Sequence, residues 1–450
     1  MEILTKVLGW VMNVMSAWLM VLLFFQLAVS FLGYKKNTKD YQDHDPKLRF
    51  MVLVPAHNEE PVIGDLINNL SNMDYPREMY DFYILADNCT DNTAELARSM
   101  GAKVLISQKD GPDAPTGKPI ALKKALEALE GYHEKYDMVM FVDADNLVDA
   151  NMFREINSQY LSADGKADII QCYLGAKNRK GIVALFYYMT YTITNRFFQY
   201  AKTRLGVNSI IGGTGFAVSA KYLHQRGGWT AMSLTEDFEL QVQATCEGRR
   251  ILWNNNVRIY DEKPTRFMAS FRQRTRWAQG HWFVAFKNTP KLFGALFKRR
   301  ISLLEFVSTF LYLYSLTPAV FLVIQTILSG VLMLLDPTNA LAAQDASIGA
   351  WVKMNLPGVG LFFYMFVFLF YVAEWMDNHI RVDLKLLPQL IVSMVINTAV
   401  ASWAQVVGLA KHRQQSKWVK TEHSITHKAE VTVTLKQVGL DKANKTSVDA

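Results

Sequence analysis

Residues 7–33 run for 27 positions without a charged side chain. About 20 apolar residues suffice to cross hydrocarbon of about 30 Å, so this stretch is long enough to be a membrane anchor. A secretory leader is the competing reading, but the apolar core is too long for one and no small-x-small cleavage site precedes the charges. Tyr34-Lys35-Lys36 closes the stretch, and positive charge marks the cytoplasmic end of a span, so the following domain is expected in the cytoplasm. Lys298-Arg299-Arg300 opens a second apolar region with stretches at 303–335, 356–373 and 386–410. The first holds Glu305 and Pro318 and exceeds one span, so it is expected to begin at the interface and kink at Pro318. Three crossings would leave the chain's end outside, yet Lys411, His412, Arg413, Lys417 and Lys420 predict an inside tail. Either one stretch does not cross, or the long one is a hairpin.

Composition supports this partition. Charged residues make up 20% of the 450, below the quarter usual in soluble chains, and 50% are hydrophobic. That excludes a disordered chain and argues against a nucleic-acid binder. The net charge of +7 gathers beside apolar segments, so its partner is the lipid bilayer. Cys89, Cys172 and Cys246 form neither a disulfide framework nor a zinc pattern, as expected of a reduced compartment. Four regions result: an anchor at 1–36, a soluble domain at 37–300, a membrane region at 301–410 and a basic tail at 411–450, polar and loose from 431.

The middle reads as an α/β fold. Residues 48–54 form an apolar strand ended by Pro55, and a helix follows from Glu60 with Pro61 at its tolerated first position. A second strand at 81–85 leads to a helix near Asp91, a natural cap. A third strand covers 103–106, a helix 120–130 and a fourth strand 138–142. Such alternation predicts a mostly parallel sheet that binds ligands beyond the strands' C-terminal ends.

The polar residues fall there. Strand two runs into Asp87 and strand four into Asp143-Ala144-Asp145. A D-x-D is by itself no more than a surface turn. At the end of an apolar strand, two carboxylates can share Mg²⁺ or Mn²⁺ with a diphosphate. Gly212-Gly213-Thr214-Gly215 follows, then Thr235-Glu236-Asp237, whose acids would ordinarily be a charge pair at a helix start. Gln273-Arg274-Thr275-Arg276-Trp277 suits amphipathic packing at a membrane surface. It suits equally an arginine for phosphate and a tryptophan platform for a sugar.

Together these residues resemble the processive family 2 glycosyltransferases, the group of cellulose, hyaluronan and poly-N-acetylglucosamine synthases. The ordered set is Val54-Pro55-Ala56-His57-Asn58-Glu59-Glu60, Asp87, Gly117-Lys118, Asp143-x-Asp145, Thr235-Glu236-Asp237 and Gln273-x-x-Arg276-Trp277. The resemblance runs from about Arg49 to His281 and is nearest to a bacterial exopolysaccharide-synthesis subgroup. It implies a nucleotide-sugar-binding GT-A-type domain flanked by transmembrane helices in a bacterial plasma membrane. Asp87 would hold the uracil or ribose of a UDP-hexose such as UDP-glucose or UDP-N-acetylglucosamine, with Lys118 nearby. Asp143 would contact the nucleotide, with Glu236 also in the substrate site, and Asp145 would bind the metal. Asp237 would be the general base, Arg276 would steady the UDP leaving group, Gln273 would position it, and Trp277 would cap the acceptor glycan. One displacement inverts configuration, giving a β-linked polysaccharide, with export through the protein's own helices, an accessory export subunit or a homo-oligomer.

Two rival functions stand beside this: transfer of one sugar to a lipid carrier, and a catalytically silent membrane scaffold. The intact Asp87, Asp143, Asp145 and Asp237 speak against the scaffold, and Arg276-Trp277 favours polymerisation. Asn88-Cys89-Thr90 also fits a glycosylation sequon, which would be inert on a cytoplasmic loop. Lys417-Trp418-Val419-Lys420-Thr421 is similar to a Trp-x-Lys-Thr element after the last helix of related synthases. It is either a segment closing over the donor or a membrane-surface anchor.

Overall fold

The computed structural model describes residues 2–335, except 110, 112 and 113, and residues 360–415, except 362, 381 and 382. Helix α1 (Glu2–Leu32) precedes strands β1 (Phe50–Ala56), β2 (Tyr80–Asp87), β3 (Lys103–Ser107) and β4 (Met138–Phe141). These four pair in parallel, with Phe50 opposite both Tyr80 and Met138. Beyond them lie β5 (Leu147–Val148), β6 (Ile169–Ala176), β7 (Phe216–Ser219) and β8 (Ile251–Asp261). The eight strands form one sheet in the order β3-β2-β1-β4-β7-β6-β8-β5. Only β7, against β4 and β6, and β5, against β8, pair antiparallel.

Strand alternation builds two cores. Phe50, Val52 and Val54 face one side and Met51 and Leu53 the other. Helices α2 (Glu60–Ser71), α3 (Thr93–Ser99), α4 (Lys118–Ala128), α5 (Tyr132–Lys135) and α6 (Met152–Ser162) cover the sheet. Ile63, Leu66 and Phe153 fill the first core, Leu122 and Leu126 the second. Pro55 does not end β1, which pairs with β2 through Ala56. Pairing with β4 stops at Leu53, so on that side no neighbour needs the missing proline N–H. Asp91 is likewise not the cap. Helix α3 starts at Thr93, whose N–H donates to Asp91 Oδ1 at 3.1 Å.

After β6 the chain leaves the sheet as α7 (Ile182–Thr194), a π-helical stretch (Asn195–Tyr200) and α8 (Ala201–Leu205), returning through β7 to α9 (Ala220–Gln225) and α10 (Glu236–Cys246). Helix α11 (Phe267–Phe297) lies beside the site and leads to α12 (Leu303–Leu313) and α13 (Thr317–Leu335). These two are bent 52° from each other. The break falls at 314–316 rather than at Pro318, which sits in the first turn of α13, where its absent N–H costs nothing. The described part of the 356–373 stretch is a π-helical segment (Phe363–Phe368) continuing into α14 (Leu369–Asp377), and α15 (Leu387–Ala410) follows. Trp418 and the rest of the tail from residue 416 lie outside the described residues.

Among the described residues two helical stretches, Lys6–Leu32 and Leu384–Ala410, are long and apolar enough to cross a membrane, or three if the bent pair counts as one. The buried Arg196 of the π-helical stretch joins the end of α14 to the residue after α1, its Nη1 donating to Asp377 Oδ1 at 2.7 Å and its Nε to Gly33 O at 2.7 Å.

Candidate active site

The four parallel strands deliver their polar ends to one edge. Asp87 closes β2 and is 5% exposed. Its Oδ2 accepts from Gly117 N at 3.3 Å and its Oδ1 from Asn88 Nδ2 at 2.9 Å. Gly117, at φ +106°, turns the chain into α4, so that Lys118 points back across the site. Lys118 Nζ donates to Asp143 Oδ1 at 2.6 Å and to Gly213 O at 2.5 Å, and lies 3.6 Å from Glu236 Oε1. Burial opposes this ammonium, but Asp143 and Glu236 outweigh it and raise its pKa.

The Gly212–Gly215 run, which carried no role in the sequence, supplies the Gly213 carbonyl to Lys118 and the Thr214 hydroxyl to the loop after β4. Thr214 Oγ1 accepts from Asp143 N at 3.0 Å and donates to Asn146 Oδ1 at 2.5 Å, and Asn146 Nδ2 donates to Asp145 Oδ1 at 2.8 Å. Asp143 and Asp145 are thereby held on the loop after β4.

Glu236 and Asp237 open α10, where the dipole favours negative charge. Burial nevertheless dominates. It lifts Glu236 to about 7 against the opposing pull of Lys118, and lifts Asp237 against backbone N–H groups and Lys118. On α11, Gln273 Oε1 accepts from Tyr187 O–H at 2.9 Å. Trp277 meets the Tyr187 ring edge-on at 6.1 Å, and Arg274 stacks over the same ring at 4.3 Å. Arg276 Nε is buried with no hydrogen-bond partner among the described residues.

Asp87, Lys118, Asp143, Asp145, Glu236, Asp237, Gln273, Arg276 and Trp277 all line one cavity of about 1070 Å³. The structure brings together every site residue expected from the sequence. Three contributors escaped that reading. Tyr187 sits in an aromatic run with no polar signature, and Gln415 lies beyond the last helix. Asp261, at the end of β8, lines the cavity with Lys263, whose Nζ is 2.6 Å from Asp261 Oδ1 and 3.4 Å from the centre of the Tyr191 ring. No group of three or more His, Cys, Asp or Glu able to hold a metal occurs among the described residues. Asp143 and Asp145 do supply the hard oxygens that Mg²⁺ or Mn²⁺ takes. Such ions usually complete their shells with water and substrate phosphates, so the pair fits a metal shared with a diphosphate.

A sheet of this order with carboxylates and cations gathered beyond its strand ends defines a GT-A-like α/β fold. The chain belongs to glycosyltransferase-like family 2, whose profile matches residues 46–280. A probable glycosyltransferase, YdaM, of Bacillus subtilis is 24% identical over 275 residues, covering 60% of this chain and 64% of that one. A beta-monoglucosyldiacylglycerol synthase of Nostoc is 28% identical over 273 residues, 58% of this chain and 56% of that one. The chain thus spans less than two thirds of either. A poly-beta-1,6-N-acetyl-D-glucosamine synthase of Staphylococcus aureus is 24% identical over 293 residues, 63% of this chain and 68% of that one. Among solved structures, a mannosyltransferase from Pyrobaculum calidifontis in complex with GDP-Man and Mn²⁺ superposes with a TM-score of 0.55 at 18% identity, covering 88% of this chain and 99% of that one. At that identity the likeness shows the fold.

Proposed function

We propose that this glycosyltransferase polymerises a β-linked exopolysaccharide from a UDP-hexose at the membrane. The observation that carries the reading is the single cavity. It runs from Asp87 and Asp143 at the strand ends, past Asp237 and Trp277, to Phe25 and Gln26 of α1 and Tyr312 and Met365 of the membrane region. A donor at one end and a sugar chain at the other both fit such a path.

The acceptor hydroxyl oxygen bonds to the anomeric carbon as that carbon's bond to the diphosphate oxygen breaks. The electron pair leaves with UDP, and the hydroxyl proton passes to Asp237. Burial raises the basicity of Asp237, as a general base requires. Lys118 and Arg276 face the charge that develops on the diphosphate. Asp87 holds the nucleoside, Gln273 positions the leaving group, Glu236 belongs to the substrate site, and Trp277 carries the acceptor's terminal sugar. Asp145, with Asp143, would hold Mg²⁺ or Mn²⁺, which supplies Lewis-acid stabilisation of the diphosphate when bound.

The geometry also favours one membrane arrangement. Asp377 at the end of α14 is bonded to Asn37 and Arg196, on the catalytic side. Helix α15 starts ten residues later, and Ser393 Oγ donates to Ile182 O at 2.6 Å. Its other end reaches α11 and the loop before α10. Held to the soluble domain at Ser393 and again past its end at Gln415, α15 on this reading lies along the interface with the tail cytoplasmic, as its charge requires. On this reading the protein sits in the plasma membrane with a cytoplasmic domain, crossing through α1, the bent pair and the helical segment that ends in α14.

A second reading, one sugar passed to a lipid carrier, draws support from the apolar flank of the cavity at Leu22 and Leu369. The test is incorporation of radiolabelled UDP-glucose and, separately, UDP-N-acetylglucosamine by the purified protein in lipid with Mg²⁺ or Mn²⁺, sizing the product. A long polymer supports the first reading and a single-sugar lipid the second. Silence with both donors, in the presence of lipid and metal, refutes these two sugars as donors of the isolated chain and points to another donor or a missing partner subunit.

A further inference from the structure

The segment that leads into Asp237, the second residue of α10, is braced by a part of the chain about 180 residues away. Gln415 Oε1 accepts from Leu234 N at 2.9 Å, three residues before Asp237. Its Nε2 donates to His412 O at 2.6 Å and to Gln279 O at 3.3 Å, so both ends of the amide are engaged. Gln279 Nε2 returns a bond to Lys411 O at 3.4 Å. Between these contacts the backbones are as close as they can be. A Cβ on Gly408 would lie 2.3 Å from Ala278 Cβ and 2.9 Å from Gln279 N, and one on Gly280 would lie 2.5 Å from Thr235 Oγ1. Helix α11 is therefore held between the end of α15 and the 234–237 loop, with no slack on either face.

We propose that Gln415 is a positioning residue for the transfer reaction, fixing the loop before α10 so that Asp237 meets the acceptor hydroxyl. The proposal rests on the reading of Asp237 as the base. Its side chain lines the cavity together with Leu234 and Asp237. Asp87, Lys118 and Asp143 keep their bonds to Gly117, Gly213 and Thr214, which the brace does not touch, so its loss acts chiefly on the chemical step.

The test is Gln415→Met, which keeps the bulk and removes all three hydrogen bonds, with Gln415→Asn as a polar variant too short to span them. Amide hydrogen exchange of the 230–240 segment in the full chain in lipid is expected to speed up at least about fivefold in both. In the transfer assay, kcat is expected to fall roughly five- to tenfold with donor KM unchanged, since displacement of about 1 Å can cost about a hundredfold. Unchanged exchange overturns the proposal, as does a raised donor KM with kcat intact. The exchange readout needs no turnover, so a wild type that transfers no sugar would refute the transferase reading while the brace is still decided by exchange.

Discussion

Gly280→Ala separates the crossing of α11 over the base loop from ordinary helix energetics. Residue 280 is inside a 31-residue helix, where replacing glycine by alanine normally stabilises by about 1 kcal/mol. Here the new Cβ would lie 2.5 Å from Thr235 Oγ1, 2.7 Å from its Cγ2 and 2.7 Å from its backbone N. Ordinary contact begins at 3.4 Å, so helix and loop must part by about 0.7 Å. Overpacking of this kind costs about 1–3 kcal/mol, which exceeds the propensity gain and makes the variant less stable. The displaced residue immediately precedes Glu236 and Asp237. At about a hundredfold per ångström, kcat is expected to fall roughly ten- to a hundredfold. Initial rates of sugar transfer, with UDP binding by calorimetry and a melting curve, read the three effects separately. Adding Thr235→Ala removes the side-chain clash but leaves the backbone nitrogen, so rescue is expected to be incomplete. A variant that melts higher than wild type and keeps kcat within twofold would refute the close crossing.

Asp237→Asn is expected to lower kcat by 10²- to 10⁴-fold while UDP binding persists, because it removes a proton acceptor and leaves the nucleotide contacts; product formation and calorimetry check both. Glu236, lifted to about 7 chiefly by burial, holds its proton in the folded chain at pH values where the unfolded chain has lost it. Stability in its absence of substrate should therefore decline as pH rises from about 4.5 to about 7, and Glu236→Gln should flatten that decline in urea titrations at pH 5, 6 and 7.5. Transfer activity should fall on acidification at a pH above the ordinary aspartate range, since burial raises Asp237 and only its ionised form accepts a proton; a pH–rate profile tests this. A side-specific reporter placed after residue 415 should read the same side as one inserted at residue 40; opposite readings would mean that α15 crosses the bilayer.

What the sequence determined by itself was local. A strand's alternation and a helix's apolar face are set by neighbours a few residues away, so β1 to β4 and helices α2, α3 and α4 were legible, as was the placement of Asp87 and Asp143 at strand ends. The residue types of the site were legible for the same reason: phosphate chemistry needs carboxylates, cations and glycines in particular local settings. What only the tertiary structure decided was long-range. The antiparallel entry of β7 between β4 and β6 depends on where the α7–α8 excursion brings the chain back, which no periodicity records. Pro55 inside β1 is tolerated because a partner strand stops two residues earlier, a fact of register. Tyr187 reaches Gln273, and Gln415 reaches Leu234, only because α7, α11 and α15 pack side by side. The break between α12 and α13 precedes the proline that seemed to cause it. The two ends of α15 carry opposite messages in sequence, apolar enough to span and too basic to end outside. The packing of α15 on α7 and α11 is what no hydropathy profile records, because hydropathy measures what a helix can bury in and packing determines which way it lies.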